Sequence, residues 1–272
     1  MTFSTDAFLS TKFIYLFSYT LLLAEGAVFM GGFPTRIKTG VAGLDSILFG
    51  GVPDGSQTVI AGGPGAGKTM LSFEILYHSA QNGIPVAFIT LDEPASRVLS
   101  NAKETFPEFK DIDSLISSRK FVLEGKEPTS EIFMQSDYEN YSFGNIVTYI
   151  ENVVKSNDAK VVAIDSLSIM KLMLSDNKLL YRKSMIALVA NLRRIGVTAF
   201  LVANIPSTDR SKLKFSAEFF IFDGIIMLYQ SGQEDKRVLG MEIVKMRGSN
   251  HSWALSPYDI TPRGFKVFTI EQ

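Results

Sequence analysis

The chain has 272 residues, and its 27 lysines and arginines nearly balance its 28 aspartates and glutamates, so the net charge is −1. This length suits one large α/β domain with a short extra segment, and the charge excludes a general electrostatic attraction to nucleic acid or anionic membranes. The chain has no cysteine and two histidines, which excludes disulfides, thiolate zinc sites, cysteine nucleophiles and multi-histidine metal sites.

Residues 1–34 are predicted to form an extension that precedes the folded domain. Residues 13–24 of this extension are apolar, but the run is shorter than the roughly 20 residues that a membrane-spanning helix needs. We therefore rank a signal peptide or an anchor below a start assigned too early, with Met30 as the alternative first residue. Membrane association and docking on a partner stay open as alternatives. A cytoplasmic location is expected, in agreement with the lack of cysteine.

From residue 35 to 272, short β-rich runs alternate with longer helical patterns, which is typical of a mostly parallel sheet flanked by helices. The predicted strands of this part are 58–61, 86–90, 120–123, 161–165 and 197–204. The predicted helices are 68–79, a helix after Pro94, 144–155 and 176–194. The last predicted strands, joined by turns into an antiparallel tail, are 224–229, 238–246 and 265–270. The fold class is therefore predicted to be α/β.

A glycine-rich segment lies between the first predicted strand and the first predicted helix of this domain. Its sequence is Gly62-Gly63-Pro64-Gly65-Ala66-Gly67-Lys68-Thr69. Successive backbone N–H groups can point at phosphate oxygens only where side chains are small, and the helix N-terminus adds positive partial charge. The pattern predicts a phosphate-binding loop for ATP that includes Met70, with Lys68 at the β and γ phosphates and the Thr69 hydroxyl on Mg²⁺.

Three acidic residues follow predicted strands and are expected at the same sheet edge as the loop. Asp165 ends an apolar strand and is the predicted partner of Mg²⁺, with an N-cap for the next helix as the alternative. Asp92 and Glu93 are candidates to orient and deprotonate the attacking water. The same Asp-Glu-Pro sequence is equally typical of a helix start.

Lys245 and Arg247 place two cations on one face of a predicted strand, because side chains alternate with period two. They can neutralise charge on a transferring phosphoryl group, or they can be solvated charges on an exposed edge.

Residues 36–272 resemble the KaiC-like branch of the RecA superfamily, which includes archaeal paralogues of the RadA recombinase. The similarity covers the segments 36–45 and 50–55 before the first buried strand, the glycine loop, Asp92-Glu93 and Lys245-Met246-Arg247-Gly248. The resemblance implies a RecA-like P-loop fold and an ATPase, with Asp92 and Glu93 in the place of paired catalytic glutamates. Glu93 is expected to be the base, because the aspartate has the shorter reach.

The same resemblance implies a ring, commonly a hexamer, in which ATP lies between subunits. The neighbouring subunit would supply Lys245 and Arg247 to the γ-phosphate and Ser249, His251 and Thr261 to the nucleoside. Because this chain has one ATPase domain, a clock role is not expected, and a single-domain archaeal KaiC-like or RadA-paralogue protein is the nearest match.

The predicted function is an oligomeric ATPase linked to DNA repair or to the modulation of recombination. The RecA superfamily places loops after the strands that end at Asp165 and Asn204 in a central channel. In the second of these loops, the stretch 210–214 carries Arg210, Lys212 and Lys214, which can bind single-stranded DNA or be solvated. The alternative function is a regulatory nucleotide switch or autokinase that acts through a protein partner.

Overall fold

The computed structural model describes residues 35–125, 139–174, 177–205, 210, 217–231 and 238–269, and the extension 1–34 lies outside these ranges. The strands are β1 Arg36–Ile37, β2 Val52–Pro53, β3 Gln57–Gly62, β4 Val86–Thr90, β5 Phe121–Gly125, β6 Val161–Asp165, β7 Thr198–Asn204, β8 Gly224–Ser231, β9 Val238–Met246, β10 Ser256–Thr261 and β11 Gly264–Val267. The helices are α1 Leu44–Ile47, α2 Lys68–Gln81, α3 Ala95–Thr105, α4 Ile112–Ser117, α5 Glu139–Ser156, α6 Leu167–Met173, α7 Lys178–Ile195 and a 3₁₀ helix, Ala217–Ile221.

Strands β3 to β11 form a mixed nine-stranded sheet in the order β11-β10-β9-β8-β3-β7-β6-β4-β5. The six strands from β8 to β5 in this order pair in parallel, whereas β9, β10 and β11 are added antiparallel. Strands β1 and β2 form a separate two-stranded antiparallel ribbon. The predicted α/β fold with a mostly parallel sheet and an antiparallel tail is confirmed.

Each face of the sheet packs on its own apolar core, because successive side chains of a strand point to opposite faces. In β3, Ile60 belongs to the core under α2, α3 and α4, whereas Val59 and Ala61 belong to the core under α5, α6 and α7. Strands buried on both faces have nearly continuous apolar sequences. This explains why the predictions 86–90 and 161–165 match β4 and β6 in full.

Helix α2 places the glycine loop next to the end of β6. This helix joins β3 to β4, and the sheet order places β7 and β6 between these two strands. Helix α2 therefore crosses over β7 and β6 and contacts both. Its first turn lies at the carboxyl edge of the sheet, where Asp165 ends β6.

Several elements were not predicted, and helix α4 and strand β10 are two of them. Helix α4 lies inside the polar stretch 103–136, where the sequence indicated only a short strand, and it buries Ile112 and Leu115 on one face. Strand β10 contains Pro257, which has no N–H and reads as an interruption of a strand. The strand forms nonetheless, because Pro257 lies near its start and still accepts the N–H of Phe268 at 2.8 Å through its carbonyl, while residues 258–261 pair with β11.

The β10–β11 hairpin supports the glycine loop of its own chain. The buried Tyr258 hydroxyl donates a hydrogen bond to the carbonyl of Ala66 at 2.7 Å. The buried Glu74 carboxylate of α2 accepts a hydrogen bond from the backbone N–H of Phe265 at 2.7 Å. The antiparallel tail is thereby bonded to both the loop and the helix that follows it.

None of the helices in the described ranges has both the length and the apolar composition of a membrane span.

Candidate functional site

The glycine loop connects β3 to α2 and contains two residues with left-handed backbone conformation, Gly65 with φ 76° and Gly67 with φ 83°. A Cβ atom on Gly67 would lie 2.7 Å from Ile260 Cδ1 and 2.8 Å from Phe265 Cζ. Glycine is therefore required at position 67 both by the backbone conformation and by the close approach of the β10–β11 hairpin. The chain turns from strand to helix with small side chains around the exposed backbone.

Lys68 is the first residue of α2 and its side chain is buried. Its Nζ donates a hydrogen bond to the carbonyl of Gly63 at 2.8 Å, so the ammonium group is folded back over the loop. Burial lowers the pKa of Lys68, and the charge of Asp165 opposes this shift. A buried cation is thus held beside the backbone groups that would face phosphate.

Asp165 and Thr69 are brought together by the crossing of α2 over β6. The Thr69 Oγ1 atom donates a hydrogen bond to Asp165 Oδ2 at 2.5 Å. Burial raises the pKa of Asp165 to about 6, with smaller raising effects from Asp92 and Glu93, against the opposing effects of Thr69 and Lys68. The carboxylate therefore lies in a position where a nearby cation would stabilise its charged form.

The alternative interpretation of Asp165 as a helix cap can be compared with the geometry directly. The N-cap of α6 is Ser166, whose Oγ accepts the backbone N–H of Ser168 at 3.3 Å. Asp165 thus precedes the capping residue, and its side chain contacts Thr69 of α2 instead.

Asp92 and Glu93 follow β4 and lie at the same edge, because Thr90 pairs with Asp165 across β4 and β6. Asp92 Oδ2 accepts a hydrogen bond from Ser166 Oγ at 2.5 Å, and burial raises the pKa of Asp92. The backbone of Glu93 is held by Thr90, whose Oγ1 accepts its N–H at 3.3 Å and donates to its carbonyl at 3.0 Å.

The side chain of Glu93 is partly exposed and lies 3.4 Å from Arg97 Nε in an i,i+4 ion pair. Pro94 directly precedes α3, so the interpretation of Asp-Glu-Pro as a helix start is correct for the backbone. The Glu93 carboxylate does not cap α3, whose N-cap is Pro94, so its role in starting the helix is confined to the backbone.

Lys245 and Arg247 lie at the opposite edge of the sheet from the glycine loop of their own chain. Lys245 pairs with Ile225, one residue into β8, and the neighbouring Gly224 is aligned with Thr58 near the start of β3. From Thr58 to Gly62 a strand advances about 13 Å. The structure therefore does not bring the two cations to the loop of the same chain.

Both cations contact the segment between the 3₁₀ helix and β8. Lys245 Nζ donates to the carbonyls of Phe222 at 2.5 Å and Phe220 at 3.2 Å. Arg247 Nη2 donates to the carbonyl of Phe220 at 3.0 Å, and its Nη1 lies 3.7 Å from Asp223 Oδ1. Burial and the charge of Arg247 lower the pKa of Lys245. The shared contact with Phe220 fits their prediction on one face.

The three predicted nucleoside contacts occupy two places. Ser249 and His251 lie between β9 and β10, where Ser249 Oγ accepts a hydrogen bond from Arg36 Nη2 at 2.8 Å and His251 is buried. Thr261 ends β10, and its Oγ1 donates to the carbonyl of Gly264 at 2.8 Å across the turn. The roles given to these residues stay predictions.

In the predicted DNA-binding stretch, Arg210 forms a two-pronged ion pair with Glu242 at 2.5 and 3.0 Å. Glu242 also accepts a hydrogen bond from the hydroxyl of Tyr229 at 2.7 Å. Residues 211–214 lie outside the described residues. One of the three predicted cations is therefore already neutralised by a carboxylate of its own chain.

Sequence reasoning missed Ser166, Thr90 and Tyr258, which hold Asp92, Glu93 and the loop. Ser166 could have been predicted from the sequence as the N-cap of a following helix, because serine is a preferred N-cap residue. Tyr258 carried none, because its contact with Ala66 joins residues 192 positions apart.

The sequence model of the KaiC ATPase family matches residues 37–272. The chain is 28% identical over 236 residues to a circadian clock oscillator protein KaiC of Picosynechococcus, an alignment that covers 86% of this chain and 45% of that protein. It is 29% identical over 242 residues to a UPF0273 protein of Aeropyrum pernix, covering 86% of this chain and 93% of that protein.

A UPF0273 protein of Methanopyrus kandleri is 30% identical over 241 residues, covering 85% of this chain and 91% of that protein. The chain thus spans less than half the length of the clock protein that it matches and nearly all of the UPF0273 proteins. On the match over 37–272, the chain belongs to the KaiC family of ATPases.

Proposed function

We propose that this protein binds and hydrolyses Mg·ATP at the carboxyl edge of its sheet, in a site that a neighbouring subunit completes. The observation that supports it most directly is the contact of Thr69 with Asp165 at the end of the glycine loop, 2.5 Å long. This contact joins the two oxygen groups expected to hold Mg²⁺ at the point where the loop backbone and Lys68 would meet phosphate.

The residues present fit magnesium and a triphosphate. The side chain of Asp165 contacts the neutral hydroxyl of Thr69, and burial raises its pKa to about 6 even though the charge of Lys68 opposes this shift. A divalent cation would further stabilise the charged form of this carboxylate. Hydroxyl and carboxylate oxygens are ligands that Mg²⁺ accepts together with phosphate oxygens and water. When bound there, Mg²⁺ would neutralise charge that develops on the phosphate oxygens.

In this proposal Glu93 accepts a proton from the attacking water. Its side chain is one methylene longer than that of Asp92, whose Oδ2 accepts a hydrogen bond from Ser166. An oxygen that already accepts a hydrogen bond from the protein is less available to accept a proton from a mobile water. Asp92 would orient the site through Ser166, and Lys68 would stabilise charge on the β and γ phosphates.

Lys245 and Arg247 complete the site of another copy of the chain. They lie at the sheet edge opposite their own loop, so a role at the γ-phosphate requires a head-to-tail contact between subunits. Heterologous contacts of this kind close into rings when the rotation permits it. A hexamer is the ring size that the KaiC family resemblance favours.

A link to DNA repair or recombination is the more specific part of this proposal. It depends on Lys212 and Lys214, because Arg210 is paired with Glu242. The alternative is a regulatory nucleotide switch or autokinase that acts through a protein partner, and the two differ in whether single-stranded DNA changes hydrolysis.

Replacing Asp165 by Asn should stabilise the nucleotide-free protein above about pH 7 while weakening Mg²⁺-dependent ATP binding. Between its ordinary pKa of 3.8 and the folded value of about 6, the folded chain binds a proton that the unfolded chain does not, so stability falls as pH rises through this window. The cost removed by the substitution is at most about 3 kcal/mol. Denaturant unfolding from about pH 4 to 8 checks this, and a variant less stable at every pH would contradict it.

Lys68→Ala should abolish Mg·ATP binding, whereas Glu93→Gln should keep the affinity and lower hydrolysis by about 10²- to 10⁴-fold. Glu104→Gln, on the exposed face of α3, is the matched control and should hydrolyse ATP like the unmodified chain. Calorimetry and phosphate release measure the two effects. A larger loss in Asp92→Asn than in Glu93→Gln would make Asp92 the base.

Arg247→Ala should leave ATP binding intact and slow hydrolysis, and mixing it with Lys68→Ala protein should restore part of the turnover. Random mixing in a ring places an intact Lys68 loop beside an intact Arg247 at about a quarter of the boundaries. Phosphate release by the mixture and by each variant alone makes the comparison, with assembly checked by light scattering. No recovery in an assembled mixture would exclude composite sites.

Single-stranded DNA should stimulate hydrolysis at low salt, and the stimulation should fade at moderate salt because phosphate contacts release counterions. The double variant Lys212→Glu, Lys214→Glu should lose the stimulation, whereas Lys160→Glu, a control at an exposed lysine, should keep it. Hydrolysis that DNA leaves unchanged would favour the regulatory switch.

A further inference from the structure

Asp223 lies where the 3₁₀ helix, β3 and β8 meet, near the two cations of the antiparallel tail. It directly precedes Gly224, the first residue of β8. Its backbone N–H donates a hydrogen bond to the carbonyl of Gln57 at 2.8 Å, and its Oδ2 accepts the N–H of the same residue at 3.1 Å. These two hydrogen bonds hold the carboxyl group at the start of β3 and direct the other oxygen, Oδ1, away from that strand.

Two arginines from different elements share Oδ1 of Asp223. Arg193, in the last turn of α7, donates a hydrogen bond from Nη2 to this oxygen at 2.7 Å. Arg247, which directly follows β9, places Nη1 at 3.7 Å from the same atom. The backbone N–H of Arg247 also donates to the carbonyl of Asp223 at 2.8 Å. The carboxylate is therefore bound closely to Arg193 and loosely to the Arg247 side chain.

This arrangement leaves most donors of the Arg247 guanidinium free. A guanidinium has five N–H donors, and within the described ranges one hydrogen bond engages this side chain, from Nη2 to the carbonyl of Phe220 at 3.0 Å. The separation of 3.7 Å from Asp223 is longer than a hydrogen bond. Asp223 thus attracts the guanidinium without occupying the donors that a phosphate would bind.

Asp223 also balances a concentration of positive charge. Lys245, Arg247 and Arg193 all contact the segment 220–223. Among the side chains that the structure describes, Asp223 is the only carboxylate within 4 Å of any of them. Burial and the charge of Arg247 lower the pKa of Lys245, and the charge of Asp223 opposes this shift. Without this carboxylate the like charges would repel one another, and the Arg247 side chain would turn toward solvent.

We propose that Asp223 is a positioning residue that orients Arg247 toward the γ-phosphate held by the neighbouring subunit, and that Arg193 keeps Asp223 in place. The proposal rests on the composite site described under Proposed function and adds the residues that orient its cation. Asp223 itself would not contact the nucleotide, because it acts through Arg247.

Asp223→Asn tests the charge, because asparagine has the same shape and keeps an oxygen that can accept the N–H of Gln57. ATP affinity, measured by calorimetry, should stay within about twofold, whereas hydrolysis, measured by phosphate release, should fall about tenfold because the reacting geometry is lost. Asp158→Asn, at an exposed aspartate that pairs with Lys160, is the matched control. It should hydrolyse ATP like the unmodified chain.

A double variant tests whether Asp223 acts through Arg247. Asp223→Asn combined with Arg247→Ala should hydrolyse ATP as slowly as Arg247→Ala alone, because the side chain that Asp223 positions is already missing. Losses that multiply in the double variant would overturn the proposal, since Asp223 would then act independently.

Mixed assemblies test on which side of the subunit boundary Asp223 acts. Asp223→Asn protein has an intact glycine loop, and Lys68→Ala protein has intact Asp223 and Arg247, so their mixture should hydrolyse ATP faster than the average of the two. A mixture of Asp223→Asn with Arg247→Ala should stay at the average, because both variants carry their defect on the same side of the boundary. A general defect in the fold would not produce this contrast.

The mixtures also separate this inference from the proposed function. If Arg247→Ala recovers turnover with Lys68→Ala in an assembled mixture and Asp223→Asn does not, the composite site stands and this inference fails. If neither recovers, both fail.

Circular dichroism checks that Asp223→Asn folds. If it does not, Asp223→Glu takes its place, because it keeps the charge and moves the carboxylate by one methylene. Its hydrolysis should fall with ATP binding intact and with the same pattern of mixtures. Hydrolysis equal to that of the unmodified chain in the folded variant would overturn the proposal.

Discussion

The hydrogen bond between Thr69 and Asp165 is the contact on which the candidate site depends. It forms because α2 must cross β7 and β6 to connect β3 with β4, which brings the first turn of the helix to the end of β6. The crossing also buries Lys68 over the loop. The pairing of β4 with β6 then places Asp92 and Glu93 beside Asp165. The helix crossing and the strand pairing together assemble residues from three separate parts of the sequence.

Much of this arrangement could be predicted from the sequence, and the part that could be predicted has a common physical cause. Strands such as β4 and β6 are buried on both faces, so they appear as apolar runs with clear ends. The glycine loop is equally readable, because Gly65 and Gly67 need backbone conformations that other residues rarely adopt. Requirements of this kind involve only neighbouring residues, so they can be recognised in a short stretch of sequence.

The rest depends on contacts between distant residues, which no local pattern encodes. Pro257 obscures strand β10 in the sequence, and the hydroxyl of Tyr258 donates to the carbonyl of Ala66, which lies 192 positions away along the chain. The spacing of Lys245 and Arg247 indicates a shared face but not which edge of the sheet they occupy. That position follows only from the antiparallel pairing of β9 with β8, and it decides whether the cations can act in their own subunit.

The hydrogen bond from Tyr258 to Ala66 connects the antiparallel tail directly to the glycine loop of its own chain. The same tail carries Lys245 and Arg247, which are proposed to contact the nucleotide of the next subunit. A single hydrogen-bonded sheet extension thus contacts the loop of its own chain, and in the proposed ring it would also contact the site of the next subunit. In a closed ring, a nucleotide bound at one site would change the affinity of the neighbouring glycine loop through this tail. ATP hydrolysis would then be cooperative around the ring, and the subunits would not hydrolyse ATP independently.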